Sequence, residues 1–253
     1  MKERPILMQT SMAEATLAGR KTQTRRMTGL DIINKNPDRW VAASTYVNAK
    51  GEFIQVFNHK DHIDSIVDFK YPYGKPGDVL WVRESFFIDH NPIDKTCKHD
   101  TVTYKAGLLH RDVRRKGVAY SEADIKEMCQ EGWHDSDYPD GAIKWKPSIH
   151  MPKAAARIWL QVTDIRVERL QSISDKDAIS EGIMEIEPDE AYKFDIDDAG
   201  SCLSANSAFR SLIQSIHGPE IWKHNPWVWV VQFEVLSTNG KPHSINNPIT
   251  ATI

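Results

Sequence analysis

Short segments of alternating apolar and polar residues recur along this chain, and they constrain its fold more than any other feature. Such alternation is typical of half-buried β-strands, and turn-forming residues separate the segments. Residues 40–57 predict a hairpin, and further strands are expected at 5–9, 79–84 and 226–235 and, as a strand pair or one bent strand, at 157–170. Helix signals are fewer and short, over 12–18, 174–181 and 205–216. The pattern predicts an α+β domain around a curved sheet or barrel.

The composition fits one large domain or two small ones. The chain has 253 residues, of which 40% are hydrophobic and 26% are charged, and this excludes disorder and collagen-like repeats. The longest apolar run, Trp227–Val231, is too short to span a bilayer, and no signal-peptide pattern follows Met1. Three scattered cysteines give no disulfide framework. We therefore expect a cytoplasmic protein with no membrane partner.

The charge balance limits the nucleic-acid partners that the chain can have. There are 32 Lys and Arg residues against 35 Asp and Glu residues, for a net charge of −3. A protein that follows a long stretch of duplex needs a basic surface, so this balance argues against such a track. It still allows a local basic pocket for one nucleotide. Residues 20–26 carry four positive charges in one polar strand or loop.

Four blocks of sequence occur in the order found in one known family. The first is residues 17–26 (LAGRKTQTRR), similar to a Gly-x-Lys-x-x-(Glu/Thr)-x-Arg signature. The second is 74–84 (GKPGDVLWVRE), the third combines 144–151 with 169–183, and the fourth lies within 217–230. Together they resemble the ASCH domain, a β-barrel family related to the PUA RNA-binding fold. The resemblance implies a PUA-like barrel with short helices and an inserted lobe.

The resemblance also implies a domain organisation. One ASCH domain is expected over residues 1–240, interrupted by insertions at about 28–70 and 86–144. The second insertion should form a lobe or lid at the rim of the barrel. The last residues, 241–253, are expected to be a loose C-terminal tail.

Thr24 distinguishes this sequence from many ASCH domains, which have Glu at that place in the signature. It is similar to the small bacterial ASCH amidohydrolases that deacetylate N4-acetylcytidine, whose working set is a lysine, a threonine and a glutamate. The resemblance assigns these catalytic roles to Lys21, Thr24 and Glu181. It also implies that neither a metal nor another cofactor takes part.

The residues themselves allow two interpretations of this set. Lys21 lies among three arginines, and nearby like charges lower the pKa of an amine, which favours an activated base. The alternative is a solvated basic loop. In an extended segment Lys21 and Thr24 point to opposite faces, whereas a tight turn brings them together. Glu181 lies at a helix end, where the dipole disfavours a carboxylate unless a partner holds it; otherwise it is a surface residue.

Further side chains are expected to bind the substrate, namely Arg26, Trp81, Arg83, Glu84 and His150. Trp81 and Arg83 share one face of a predicted strand, and Glu84 takes the other face. Trp81 can stack on a base and Arg83 can contact phosphate or carbonyl oxygens, unless the tryptophan belongs to the core. His150 is expected in the wall of a polar pocket. Ser148 near it lacks the Gly-x-Ser-x-Gly elbow of a serine hydrolase.

Residues 86–144 contain two Cys/His pairs, Cys97 with His99 and Cys129 with His134. Four such ligands can hold a structural zinc ion. Their spacing matches no common zinc motif, so the alternative is a set of unrelated surface residues. We predict no metal site here.

These observations lead to one expected function and two alternatives. The expectation is a metal-independent amidohydrolase that acts on an N-acylated pyrimidine nucleoside or base. The first alternative is a PUA-like module that binds RNA or a modified nucleotide without catalysis. The second is an ASCH-type ribonuclease, in which Lys21 and nearby arginines stabilise phosphate charge. The expected partner is a nucleoside or nucleobase, with single-stranded RNA as the other candidate, and the sequence predicts no particular oligomeric state.

Overall fold

The computed structural model describes residues 1–62, 64–89, 101–106, 115–116, 145–187, 191–193 and 202–242. Their strands are β1 (Glu3–Leu7), β2 (Gln23–Arg26), β3 (Trp40–Val47), β4 (Phe53–His59), β5 (Ile66–Lys70), β6 (Val79–Arg83), β7 (Phe86–Asp89), β8 (Thr101–Tyr104), β9 (Arg115–Lys116), β10 (Trp159–Arg169), β11 (Met184–Glu187), β12 (Ala191–Lys193) and β13 (Trp227–Ser237). The α-helices are α1 (Thr10–Leu17), α2 (Asp31–Asn34), α3 (Asp175–Ser180), α4 (Ala205–His217) and α5 (Ile221–His224). Short 3-10 helices lie at Pro37–Arg39, Ser148–His150, Lys153–Ala155 and Leu170–Ser172. This mixture of sheets and helices confirms the predicted α+β class.

Five strands form the central sheet, in the order β1-β6-β10-β13-β2. β1 runs parallel to β6, and the other neighbours are antiparallel. β10 is one strand of 11 residues, and its pairing with β13 shifts register between Val162 and Asp164. Such a shift bends a strand in the way that a β-bulge does. Of the two interpretations of residues 157–170, the structure has the single bent strand.

Alternation along the central strands separates the two faces of the sheet. On one face Leu80, Leu160 and Val231 belong to the main apolar core, together with Phe57 of β4 and Phe69 of β5. Strands β3, β4 and β5 form a second, three-stranded sheet, so we call this the sheet-covered face. The first predicted insertion, at about 28–70, therefore contributes directly to the main core.

Helix α4 covers part of the opposite face, which we call the helix-covered face. Val228 and Val230 of β13 pack there with Phe209 and Ile213, which lie four residues apart on one side of α4. The hydroxyl of Ser204 accepts a backbone hydrogen bond in the first turn and caps the helix. The helix predicted over 205–216 is thus confirmed, and its Phe209 and Ile213 side is the buried one.

The predicted barrel is not found in the described part of the chain, where the central sheet stays open with β1 and β2 as its edges. A closed barrel needs every strand to pair on both sides. Here Arg26 of β2 donates one hydrogen bond across the gap to the carbonyl oxygen of Leu7 in β1, at 2.7 Å. A side-chain bridge therefore lies where a barrel would need a backbone ladder.

The second predicted insertion, 86–144, is described only in part. β7, β8 and β9 form a small antiparallel sheet, and Phe86 also bridges to Lys146. The cysteines and histidines weighed as zinc ligands lie outside the described residues: Cys97, His99, Cys129 and His134. Most of the predicted tail, residues 243–253, lies outside them as well. No helix within the described ranges is long and apolar enough to cross a membrane.

Candidate active site

Lys21 and Glu181 meet in a buried ion pair. The Nζ of Lys21 donates to the Oε2 of Glu181 at 2.7 Å and to the backbone carbonyl oxygen of the same residue at 2.8 Å. Backbone contacts fix the lysine segment, because the N–H of Thr22 donates to the carbonyl of Ser180 and its own carbonyl accepts from the N–H of Phe233. Glu181 directly follows the last residue of α3, at the helix end where the sequence predicted it.

Burial determines the electrostatics of this pair. Lys21 is fully buried and Glu181 is 3% exposed. The burial lowers the pKa of Lys21, since it penalises the ammonium; Glu181 opposes that effect, and the charges of Arg26 and Arg25 add smaller lowering contributions. The arginine effect predicted from the sequence is therefore present, but burial is the larger cause. A lysine with a lowered pKa can act as a base closer to neutral pH.

Arg25 holds the other side of the Glu181 carboxylate. Its Nη1 lies 3.2 Å from the Oε1 of Glu181, and its Nη2 lies 3.2 Å from Glu168 and 3.6 Å from Asp177. Arg166 contacts these last two carboxylates as well. Both oxygens of Glu181 are thus engaged, Oε2 by Lys21 and Oε1 by Arg25, so the orientation of the carboxylate is well defined.

Thr24 lies on the opposite side of β2 from this network. It pairs with Val231, which belongs to the sheet-covered face, whereas its neighbour Arg25 pairs with Val230 on the helix-covered face. Paired residues of neighbouring strands share a face. The segment is extended, so Thr24 points away from Glu181. This is the arrangement that the sequence predicted for an extended rather than a tightly turned segment. The hydrogen bonds recorded for Lys21 and Glu181 do not involve Thr24.

A cavity of about 160 Å³ lies beside Arg25, between the end of β2 and the end of α4. It is lined by Arg25, Arg26, Met27, Thr28, Leu170, Ile213, His217 and Val228. Burial and the nearby charge of Arg26 lower the pKa of His217. Because Arg25 contacts Glu181 and also lines the cavity, this space is adjacent to the Lys21–Glu181 pair.

The other expected substrate contacts lie elsewhere. Trp81 is 8% exposed and packs with Trp159 in a small apolar cluster, which is the core alternative weighed from the sequence. The guanidinium of Arg83 lies 5.6 Å from the centre of the Trp81 ring, and its Nη2 donates to the carbonyl of Ile149. His150 is exposed at the end of the 3-10 helix Ser148–His150, so that segment is not extended.

Glu84 forms a second buried ion pair. Arg157 contacts it through two hydrogen bonds, Nε to Oε1 at 2.9 Å and Nη2 to Oε2 at 2.8 Å. The same Nη2 donates to the carbonyl of Ala106, and the guanidinium lies 4.2 Å from the centre of the Tyr104 ring. Burial raises the pKa of Glu84, and Arg157 opposes the shift. This pair joins the end of β6 to the segment before β10, and the bond from Arg157 to Ala106 adds the segment after β8.

Of the residues predicted for the site, the structure brings together Lys21 and Glu181, with Arg26 at the neighbouring cavity. Four members of the charged networks were not predicted from the sequence, namely Arg157, Arg166, Glu168 and Asp177, and neither was the place of His217 in the cavity. Arg25 was considered only as a neighbouring charge. Lys21 and Arg25 lie four residues apart. In an extended segment, whose side chains alternate with a period of two, this even spacing is the signal that places both on one face.

Comparisons of the chain with protein-family models, with curated proteins and with solved structures give no match. Within the described ranges, no group of three or more His, Cys, Asp or Glu side chains is arranged to hold a metal ion. The interpretation of the site therefore depends on the residues and on their geometry.

Proposed function

We propose that this chain is a metal-independent amidohydrolase with an ASCH-like, PUA-related fold, which removes the acyl group from an N-acylated pyrimidine nucleoside or base. The observation that carries the proposal is the buried Lys21–Glu181 pair, an amine with a lowered pKa in direct contact with a carboxylate. A buried titratable group whose pKa is shifted and which contacts a charged partner is a frequent feature of catalytic sites.

The proposed reaction uses water as the nucleophile. Neutral Lys21 accepts a proton from a water molecule, whose oxygen attacks the acyl carbon; the C–N bond then breaks, and the exocyclic nitrogen leaves as an amine after receiving that proton. A lysine ammonium has three N–H donors. Two of them point at Glu181, so one position on Nζ is left for the water or the substrate. Glu181 orients Lys21 and stabilises its protonated form.

Thr24 has a different place in this scheme from the one that the resemblance implied. Its side chain lies on the sheet-covered face, across β2 from Arg25 and Glu181. A hydroxyl there cannot attack a substrate held beside Glu181. The geometry supports a water nucleophile rather than Thr24.

Access to Lys21 requires a conformational change, because the side chain is fully covered. The cavity at Arg25 is the open space adjacent to the pair. A substrate that enters there meets Arg25 before it meets Glu181. We therefore expect the substrate to reach Lys21 when the contact between Arg25 and Glu181, now 3.2 Å long, opens.

The second candidate function is a PUA-like module that binds a modified nucleotide without catalysis. One observation favours it: both members of the Lys21–Glu181 pair are covered, as in an ion pair that only ties the segment before β2 to the end of α3. In that case the cavity beside Arg25 binds one group of the nucleotide, the size of a phosphate or of one ring, and Lys21 never contacts the ligand. The two candidates differ in whether the bond to the acyl group is broken.

The experiment follows release of cytidine and acetate from N4-acetylcytidine by chromatography. Wild type should turn over, and Glu181→Gln should be slower by about 10² or more, the scale of a positioned acid–base group. Arg157→Met is the matched control, because it also breaks a buried ion pair but lies in the Glu84 network. It should retain the wild-type rate per folded molecule. Absence of turnover by wild type, or equal losses in the two variants, would contradict the proposal.

A further inference from the structure

The cavity beside β2 combines a fixed positive charge with a small volume. Polar side chains line one part of it, and apolar ones line the rest: Met27, Leu170, Ile213 and Val228. Its volume of about 160 Å³ is close to the roughly 150 Å³ of an engineered cavity that takes up benzene. A group the size of a phosphate or of one ring fits, whereas a whole nucleotide does not.

The two arginines of the cavity differ in how their charges are balanced. Arg25 is surrounded by three carboxylates, those of Glu168, Asp177 and Glu181. Arg26 has no ion-pair partner among the described residues, and its recorded hydrogen bond goes to the carbonyl of Leu7. The Nε of each arginine is buried without a hydrogen-bond partner in the described part of the chain. Both Nε atoms are covered, so an anion that enters the cavity would meet the unpaired charge of Arg26 rather than these atoms.

His217 adds a titratable group to the same space. It is the last residue of α4, where the helix dipole favours a cation, but burial and the charge of Arg26 lower the pKa of its imidazole. The charged and titratable groups that line the cavity are Arg25, Arg26 and His217, while Leu170 and Val228 present apolar side chains from the neighbouring elements. An anion in the cavity would offset the charge of Arg26 and allow His217 to take up a proton.

We infer that this cavity is a binding site for a phosphate group, held by Arg25, Arg26, Thr28 and His217. A phosphate presents several oxygens to donors that converge from different directions, and a guanidinium matches its geometry. The hydroxyl of Thr28, which lies 3.2 Å from that of Tyr73, supplies a neutral donor at the same wall. The site does not depend on the proposed hydrolysis, because Lys21 takes no part in it.

Calorimetric titration of the full chain in phosphate-free buffer tests the inference with three probes: inorganic phosphate, cytidine 5′-monophosphate and cytidine. We expect one phosphate site per chain, and binding to Arg26→Gln weaker by roughly tenfold or more, the scale of one charge-assisted hydrogen bond. Arg39→Gln, an exposed arginine outside the cavity, is the control and should bind like wild type. Tighter binding of the nucleotide identifies a nucleotide phosphate as the source, and equal binding identifies free phosphate; both support the site.

Two outcomes of this titration would overturn the inference. One is a wild type that binds neither phosphate probe with a dissociation constant below about 10 mM. The other is an Arg26→Gln variant that is folded and binds as tightly as wild type. Loss of N4-acetylcytidine hydrolysis with intact phosphate binding would refute only the proposed function, so the two failures are distinguishable.

A second measurement covers the case in which Arg26→Gln does not fold, since Arg26 also bridges β2 to Leu7. Sulfate is the probe, because it keeps a constant charge near neutral pH. NMR titration of the imidazole in the wild type should show that saturating sulfate raises the pKa of His217. His217→Gln should weaken sulfate binding more at low pH than at high pH, because only the protonated imidazole attracts the anion. His62→Gln, at an exposed histidine, should change neither. An unchanged pKa of His217 would contradict the site.

Discussion

Replacing Lys21 with methionine keeps most of the side-chain volume but removes the ammonium from its contact with Glu181. The carboxylate stays 3% exposed and keeps only Arg25, at 3.2 Å, as a charged partner. Breaking a buried ion pair by removing one member costs about 3–5 kcal/mol, because the other charge is left in a medium that solvates it poorly. Since Arg25 still bonds to Glu181, we expect the lower end of this range for Lys21→Met, about 3 kcal/mol.

The double variant Lys21→Met/Glu181→Gln measures how much of the stability comes from the interaction between the two side chains rather than from each side chain alone. Glu181→Gln alone leaves Lys21 buried, but the lowered pKa of that lysine allows it to lose its proton, so the loss should be smaller, about 1–3 kcal/mol. In the double variant neither charge remains. Its loss should therefore be less than the sum of the two single losses, by about 1–3 kcal/mol of coupling.

Urea unfolding with linear extrapolation measures all three free energies of unfolding. Lys70→Met is the matched control, because it removes a lysine from an ion pair with Glu52 on the surface, where solvent screens the interaction. Its unfolding midpoint should stay close to that of wild type. If Lys21→Met is no less stable than Lys70→Met, or if the double variant shows additive losses, the buried pair does not stabilise the fold as argued.

Three further outcomes are expected. The pKa of Lys21 is lowered on folding, so the unfolded chain binds more protons than the folded chain between the two pKa values. The stability of wild type relative to Lys21→Met should therefore rise with pH above neutral. Urea unfolding at several pH values tests this. Thr24→Val should keep turnover of N4-acetylcytidine within about tenfold of wild type, since the hydroxyl faces away from Glu181, and a loss of about 10² would restore the threonine to the mechanism. Gly74→Ala should lower the free energy of unfolding by about 1 kcal/mol or more. Gly74 has a φ of +97°, and an added Cβ would lie 2.5 Å from the Oδ2 of Asp78. A melting temperature equal to that of wild type would contradict this.

The local elements of this fold follow from local patterns. Alternation predicted the hairpin of β3 and β4 and the long strand β13, and α4 was predicted over 205–216 with nearly its observed bounds. The open sheet was not predicted. Whether β1 and β2 pair depends on the register of two segments that α1 separates, and the bridge from Arg26 to Leu7 has no signature in either segment.

The charged partners in the site, like the open sheet, could not be predicted from local sequence patterns. Lys21 and Glu181 are 160 residues apart, and only the family resemblance linked them. Arg157 pairs with Glu84 across 73 residues, and no local spacing connects the two. By contrast, the position of Thr24 was open to prediction, because the two-residue period of an extended segment already places it opposite Arg25. Long-range charge partners depend on tertiary packing, which a local pattern does not encode.

The pH dependence of kcat/KM for N4-acetylcytidine in the wild type and in Lys21→Arg tests the central proposal most directly. Arginine keeps the positive charge beside Glu181 but cannot give up its proton, so it preserves the ion pair and removes the base. Between about pH 6 and about pH 10, the wild-type rate should rise through a pKa below the ordinary lysine value. Lys21→Arg should fold but lose turnover by about 10² or more at every pH. A folded Lys21→Arg variant with the wild-type rate and the same pH profile would contradict the account.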